Sequence, residues 1–248
     1  MRSQSVLLGC ALAAVVLSDV ACEEKKETPQ APSASARPTV SLAPPPIAKP
    51  PFLSVDETAC YVGGDRVDLN AGGAGARVAA ILATKPKVEG ETLELQALRD
   101  VKFPKVANLI VAARAAKAKA ILVKTSRRDQ SMGELEIRFD HPALSSCSAV
   151  ASIGKDNAIK VWPAGGGGGE SFTHGMAGPD MTRGVLGAQK QAAACDSSLW
   201  AVTAEDTVQW GLVFDLAMLA MGVFDGGKPM RATQVDVIES GVAGRKVL

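Results

Sequence analysis

The sequence predicts an α+β fold in which two tandem small ββαβαβ-like domains form a pseudo-dimer within one chain. Three observations predict it. Residues 95–109 lie over residues 202–216 without a gap, with apolar positions coinciding at Leu95/Val202, Ala97/Ala204, Val101/Val208, Phe103/Trp210, Val106/Val213 and Leu109/Leu216. Both segments read as a short apolar strand, a charged turn and an amphipathic helix. Each is preceded, at a similar distance, by another helix and a β-rich start, so the order of elements repeats along with the pattern. The predicted boundaries are a leader over 1–22, a linker over 23–51, a first domain over 52–140 and a second over 146–248.

The first domain opens with Phe52-Leu53-Ser54-Val55 and continues as Ala59-Cys60-Tyr61-Val62, with Gly63-Gly64-Asp65 as the turn of a small hairpin region. A helix is predicted over 74–84, with Val78, Ile81 and Leu82 on one face and Pro86 as its stop. Thr92 to Ala97 alternates as a strand. The next helix carries Pro104 in its first turn, where a missing N–H costs nothing, and turns Val106, Leu109, Ile110 and Ala113 inward. Arg114, Lys117 and Lys119 crowd its C-terminal end, where they complement the helix dipole. Residues 120–125 close the unit as a strand, and 134–139 return as an added hairpin strand.

In the second domain, strands are predicted over 149–153 and 158–162, followed by a flexible loop at Gly165 to Gly169 and a helix over 180–194 with Asp180 as N-cap. The glycine run lacks the Gly-Lys-Ser/Thr ending of a phosphate loop. A strand over 199–204 precedes a helix over 208–221 that is apolar nearly all round and is therefore expected to be buried on two sides, with the other unit as its cover. Residues 232–238 form the closing strand.

Outside the domains, Val6 to Leu17 is an apolar stretch of signal-peptide length behind Arg2, too short for a comfortable membrane span. Cys22 follows Val20-Ala21 and opens the polar run Glu23-Glu24-Lys25-Lys26-Glu27, resembling a bacterial lipoprotein cleavage site with Cys22 as the lipidated residue. A plainly cleaved leader and a retained anchor are the alternatives. From Thr28 to Pro51 the linker is rich in Pro, Ala and Ser with little to bury, and reads as an extended spacer of about 75 Å at most. The protein is thus expected in the periplasm, held to a membrane by a lipid.

A formal net charge of +1 and the lack of a sizeable basic block exclude nucleic acid as the main partner. Cys60, Cys147 and Cys195 remain in the mature part, and a Cys147–Cys195 disulfide is expected with Cys60 buried, although spacing alone leaves connectivity open. With no Cys-x-x-Cys and only His141 and His174, neither a zinc cluster nor any other cofactor is predicted. His174, with Ser171, Thr173 and Asp180 near it in sequence, is the one hydrolytic arrangement that can be drawn, and a solvated loop histidine is preferred to it. Glu205 and Asp206 are read as capping and dipole partners of the helix that follows, and Arg127-Arg128-Asp129 as a turn cluster.

The strand over Leu95 to Asp100, then Val101-Lys102-Phe103-Pro104-Lys105-Val106, then Ala118-Lys119-Ala120-Ile121-Leu122-Val123, is similar to the periplasmic domain of the ExbD/TolR biopolymer transport family. The resemblance covers about residues 52–126 and again 148–239. It implies a non-catalytic module beside proton-driven motors of the cell envelope, contacting a TonB- or TolA-like protein or peptidoglycan, with Arg99, Asp100 and Lys102 as partner-binding residues. Family members act as dimers, and the tandem would supply both halves covalently. They also carry a transmembrane helix with a proton-carrying aspartate near its start, whereas the acidic residue in this leader, Asp19, lies at the far end. The expectation is an accessory protein that keeps the recognition domain without the motor helix. Peptide binding would use an exposed edge strand, Ile121 to Thr125 or Val235 to Glu239.

Overall fold

The computed structural model describes residues 49, 51–173, 178–195, 197–224, 228–229, 234–239 and 241–247. The leader, Cys22, Asp19 and nearly all of the linker, together with His174, lie outside the described residues.

The first half contains β1 (Phe52–Val55), β2 (Ala59–Val62), β3 (Asp65–Asp68), α1 (Ala74–Thr84), β4 (Thr92–Ala97), α2 (Phe103–Ala115), β5 (Ala120–Ser126) and β6 (Met132–Arg138). The second contains β7 (Ala149–Ile153), β8 (Ile159–Pro163), β9 (Glu170–Phe172), α3 (Met181–Ala193), β10 (Leu199–Ala204), α4 (Trp210–Met221), a small hairpin of β11 (Val223–Phe224) and β12 (Lys228–Pro229), and β13 (Gln234–Val237). The fold is α+β, with two mixed sheets and four helices. Sheet order is β3-β2-β1-β4-β5-β6 in the first half and β13-β10-β7-β8-β9 in the second. Reading the second from β9 gives β9-β8-β7-β10-β13, the same order without an equivalent of β6.

Strands β1, β4 and β5 run parallel, as do β7, β10 and β13. Parallel neighbours require crossover helices, and successive right-handed crossovers advancing one way across a sheet place both helices on one face. Each half also gains a third hairpin strand beyond the predicted pair. Asp65–Asp68 follows the turn at Gly63 and Gly64, both at positive φ, and Glu170–Phe172 follows the glycine run.

Local sequence accounts for the helix ends. α1 starts after Gly73 at φ 72°, which favours glycine, and stops at Lys85 before Pro86. α2 carries Pro104 in its first turn. The Asp180 carboxylate caps α3 by accepting from the Arg183 N–H at 3.0 Å. α4 starts later than predicted because Gln209 is held extended in a bridge to the other half and the Val208 carbonyl accepts from the Phe103 N–H. Glu205 and Asp206 therefore stand several residues ahead of the helix, exposed, and no acidic residue occupies its first turn.

The two sheets are finished differently. In the first, alternation buries Leu53, Leu93, Leu95, Ile121, Val123, Leu135 and Ile137 against the helices and leaves a polar outer face, where Lys124 reaches Glu94 at 3.0 Å and Glu134 at 3.7 Å. In the second, β7 and β10 are buried on both faces. Val150, Trp162, Ala164 and Ala201 on its outer face are covered by Leu144, Ile238 and Val247. The predicted flexible loop is part of that cover. Gly166 sits at φ 87°, where a Cβ would lie 3.0 Å from the Lys246 nitrogen, and the Gly167 N–H donates to the Gly244 carbonyl at 2.9 Å. Cys147 and Cys195 form a disulfide joining the segment before β7 to the end of α3, and Cys60 is buried.

Residues 46–248 form one compact unit, and a single apolar cluster runs from Leu53 in β1 to Val237 in β13. The cover over α4 is the first half. The Trp210 indole N–H donates to the Thr125 hydroxyl of β5 at 2.9 Å, and the Phe214 ring lies where a Cβ on Gly133 of β6 would be 2.8 Å from it.

Candidate functional site

The halves meet through residues that the internal repeat makes equivalent. Lys102 and Gln209, superposed by the register that lays Leu95 on Val202, form an antiparallel bridge with each other. The Phe103 N–H donates to the Val208 carbonyl at 2.8 Å, and the Trp210 N–H donates to the Val101 carbonyl at 2.7 Å. Exchanging each residue for its repeat equivalent turns one bond into the other. This is the isologous pattern of a two-fold dimer, made inside a single chain.

Side chains break that symmetry. Arg99 makes a two-pronged contact with Asp215 at 3.0 and 2.7 Å and also donates to the Ser126 carbonyl at 2.8 Å and the Gly211 carbonyl at 3.3 Å. The repeat equivalents of Arg99 and Asp215 are Asp206 and Asn108, so no second ion pair can form. Gly211 makes the approach feasible, since a Cβ there would lie 2.9 Å from the Arg99 Cβ. The Asp215 carboxylate and its hydrogen bond hold the Arg99 guanidinium further above its ordinary pKa, the contact outweighing the cost of partial burial. A second junction lies at the end of α2, where Arg114 pairs with Asp236 of β13 and stacks 5.1 Å over the Phe139 ring. Of the three basic residues that crowd this helix end, Arg114 thus turns to the other half.

Beside the Arg99–Asp215 pair opens a cleft of about 420 Å³. Its floor is Phe214, Met218 and Leu219 of α4 with Met181 of α3, and its rim is the β5–β6 turn, Arg127, Arg128 and Asp129. The turn is fixed locally: Asp129 accepts from the Ser131 N–H at 3.0 Å and the Ser131 hydroxyl at 2.6 Å, and the Arg127 N–H donates to the Ser131 carbonyl at 2.7 Å. The two Ser131 bonds, hydroxyl first, hold the Asp129 carboxyl below the usual carboxylate range. Arg128 reaches the same Asp215 Oδ2 that Arg99 contacts, at 3.0 Å, while its side chain stays 65% exposed. A smaller cleft of about 290 Å³ continues past Met218 between β6 and β13, lined by Leu135, Met221, Gln234 and Val235 among others.

Of the residues predicted to bind a partner, Arg99 and Lys102 meet the second half of their own chain, Lys102 donating to the Thr207 carbonyl at 3.0 Å. Asp100 is exposed at the turn between β4 and α2 and acts on Arg99 through space. The edge-strand expectation needs correction at Ile121 to Thr125: β5 lies inside the sheet, paired with β4 and β6, because residues 132–138 return beside it and take the edge. β13 is an edge of its sheet, packed beside β6. Of the cleft residues, Met218 and Leu219 fall on the helix that the sequence expects to be buried, and Met181 carries no signal in the sequence. The signal that could have separated them is the apolar circumference of α4, broken only by Asp215: a helix apolar on nearly every side need not be covered on all of them.

Among the described residues, no group of three His, Cys, Asp or Glu side chains is placed to hold a metal ion, and no helix is long and apolar enough to cross a membrane. No protein-family model matches the chain, and no curated protein or solved structure proved similar to it.

Proposed function

We propose that the chain is a non-catalytic cell-envelope protein, held to its membrane by a lipid on Cys22, that serves proton-motive-force-driven biopolymer transport or envelope integrity by binding. Its partner in this reading is a TonB- or TolA-like protein or peptidoglycan, as the resemblance to the ExbD/TolR periplasmic domain implies. The observation that carries the reading is the duplicated element order joined through the Lys102–Gln209 bridge. That arrangement gives one chain both halves of the dimer expected of the family. A lipoprotein binding module unconnected with transport is the second reading, and the cleft beside α4 serves either.

Mature protein, residues 23–248, used as bait against envelope extract and against purified peptidoglycan, tests the proposal. Recovery of motor subunits, a TonB-like protein or peptidoglycan supports the transport reading. Recovery of unrelated envelope proteins supports the second reading, and recovery of nothing above the level of a mock bait counts against both.

A further inference from the structure

We propose that the cleft between the Arg127–Asp129 turn and α4 docks a short segment of a partner polypeptide in which an acidic residue lies next to apolar ones. The proposal deepens the binding-protein reading and rests on it, without depending on the transport family.

Charge specifies one end of the occupant. Two guanidinium groups of the rim, Arg127 and Arg128, face one rim carboxylate, Asp129, while the Asp215 carboxylate is already paired with Arg99, so the rim carries one positive charge in excess. Arg99 and Arg128 are both engaged with Asp215, and Asp129 accepts from Ser131 of its own turn. Arg127 forms no salt bridge or side-chain hydrogen bond among the described residues and is exposed. An incoming carboxylate would meet Arg127 together with the outward side of Arg128, in the fork geometry that suits a carboxylate.

The floor specifies the rest. Met181 and Met218 are unbranched and polarisable, suited to side chains of varied shape. Leu219 is 41% exposed on a helix whose other large residues are mostly buried. A volume of about 420 Å³ lies within the range of ligand pockets and accommodates two or three side chains. From Phe214 to Met221 the helix rises about 10 Å, which an extended chain spans in about three residues. The acidic residue and its apolar companions therefore fall within one short segment, continuing toward the second cleft past Met218. The walls are preorganised, since the turn is pinned at Ser131 and Phe214 is seated over Gly133, so little ordering cost attends binding.

Phage-displayed random dodecapeptides panned on the mature protein test this, with counter-selection on an Arg127→Glu/Leu219→Lys variant. Both positions are exposed, and circular dichroism confirms folding. An Arg127→Gln variant serves if the double variant does not fold. The expected result is an enriched consensus of an acidic residue beside apolar ones, whose synthetic peptide binds the variant at least tenfold more weakly. The same peptide should shift the methyl signals of Met181 and Met218 in the labelled protein and leave Met132 in place. Enrichment without such a consensus, no enrichment, or equal binding to the variant overturns the proposal. Running the envelope pull-down with the variant separates the two failures: an unchanged partner places docking elsewhere and leaves the binding function standing, whereas absence of any partner with wild-type bait removes the function itself.

Discussion

Replacing Arg99 with alanine should destabilise the protein by about 2–3 kcal/mol. The side chain makes two charge-assisted bonds to Asp215 and donates to the carbonyls of Ser126 at 2.8 Å and Gly211 at 3.3 Å. Charge-assisted hydrogen bonds contribute about 1.5–3 kcal/mol each, and breaking a buried pair from one side costs about 3–5 kcal/mol. The pair is not fully buried, with side chains 21% and 13% exposed, and Arg128 remains on Asp215 at 3.0 Å. These two facts bring the figure down to the stated range. For a folded part of this size the change corresponds to about 4–12 °C in Tm, read by thermal and urea unfolding of the mature chain. Arg99→Lys should recover part of the loss, because an ammonium supplies the charge without the fork. Asp100→Asn, one residue away and exposed, should stay within about 0.5 kcal/mol of wild type. A loss below about 0.5 kcal/mol for Arg99→Ala would place the pair with ordinary surface ion pairs and refute the claim that it locks the halves.

Trp210→Phe leaves the buried Thr125 hydroxyl without its donor and should cost about 1–3 kcal/mol, with Thr125→Val added on top recovering part of it in a double-mutant cycle. The Asp56 carboxyl accepts from the Thr58 N–H at 2.7 Å and the Ala59 N–H at 2.8 Å, which hold it below the usual carboxylate range. Its contribution is present above the unfolded value of about 3.9 and lost as pH falls through the lower folded value. Asp56→Ala should therefore cost about 0.5–1 kcal/mol at pH 7, a figure reduced for its exposure, and unfolding curves of variant and wild type should converge in acid. Burial pushes the Cys60 thiol up to about 12. In the mature chain, residues 23–248, a thiol reagent should label Cys60 only on unfolding, and rapid labelling of the native protein would contradict its place in the core. Because the equivalent backbone edges at Lys102 and Gln209 satisfy each other within one chain, light scattering should report a monomer, and an obligate dimer would remove the support for an internal pseudo-dimer.

The halves have diverged in opposite directions from one plan. The outer face of the first sheet carries Glu94 and Lys124 and stays open. The corresponding face of the second carries Val150, Trp162 and Ala201 and is sealed by the chain's own C-terminal segment, with the Trp162 indole donating to the Arg245 carbonyl at 3.0 Å. The glycine run belongs to this seal: at Gly169 a Cβ would lie 2.6 Å from the Val161 carbonyl oxygen. A run of glycines read alone means freedom, and only the neighbouring backbone shows that it means close approach.

Alternation and helical periodicity are local, and they placed the main elements of both halves to within a few residues. The α+β class and the repeat followed from them alone. Short strands such as Asp65–Asp68 and Glu170–Phe172 escaped because three or four residues carry too little pattern and depend on a partner strand for their hydrogen bonds. The sequence by itself determined which residues form each layer, through spacing, Pro104, Asp180 and the repeat register. Only the tertiary structure decided that Arg99 and Lys102 face the second half, that β6 takes the edge from β5, and that Arg127 stands over an apolar cleft. The reason is physical: a charge or an apolar side chain looks the same in sequence whether its partner is solvent, a ligand or a residue more than a hundred positions away, and chain folding alone selects among them.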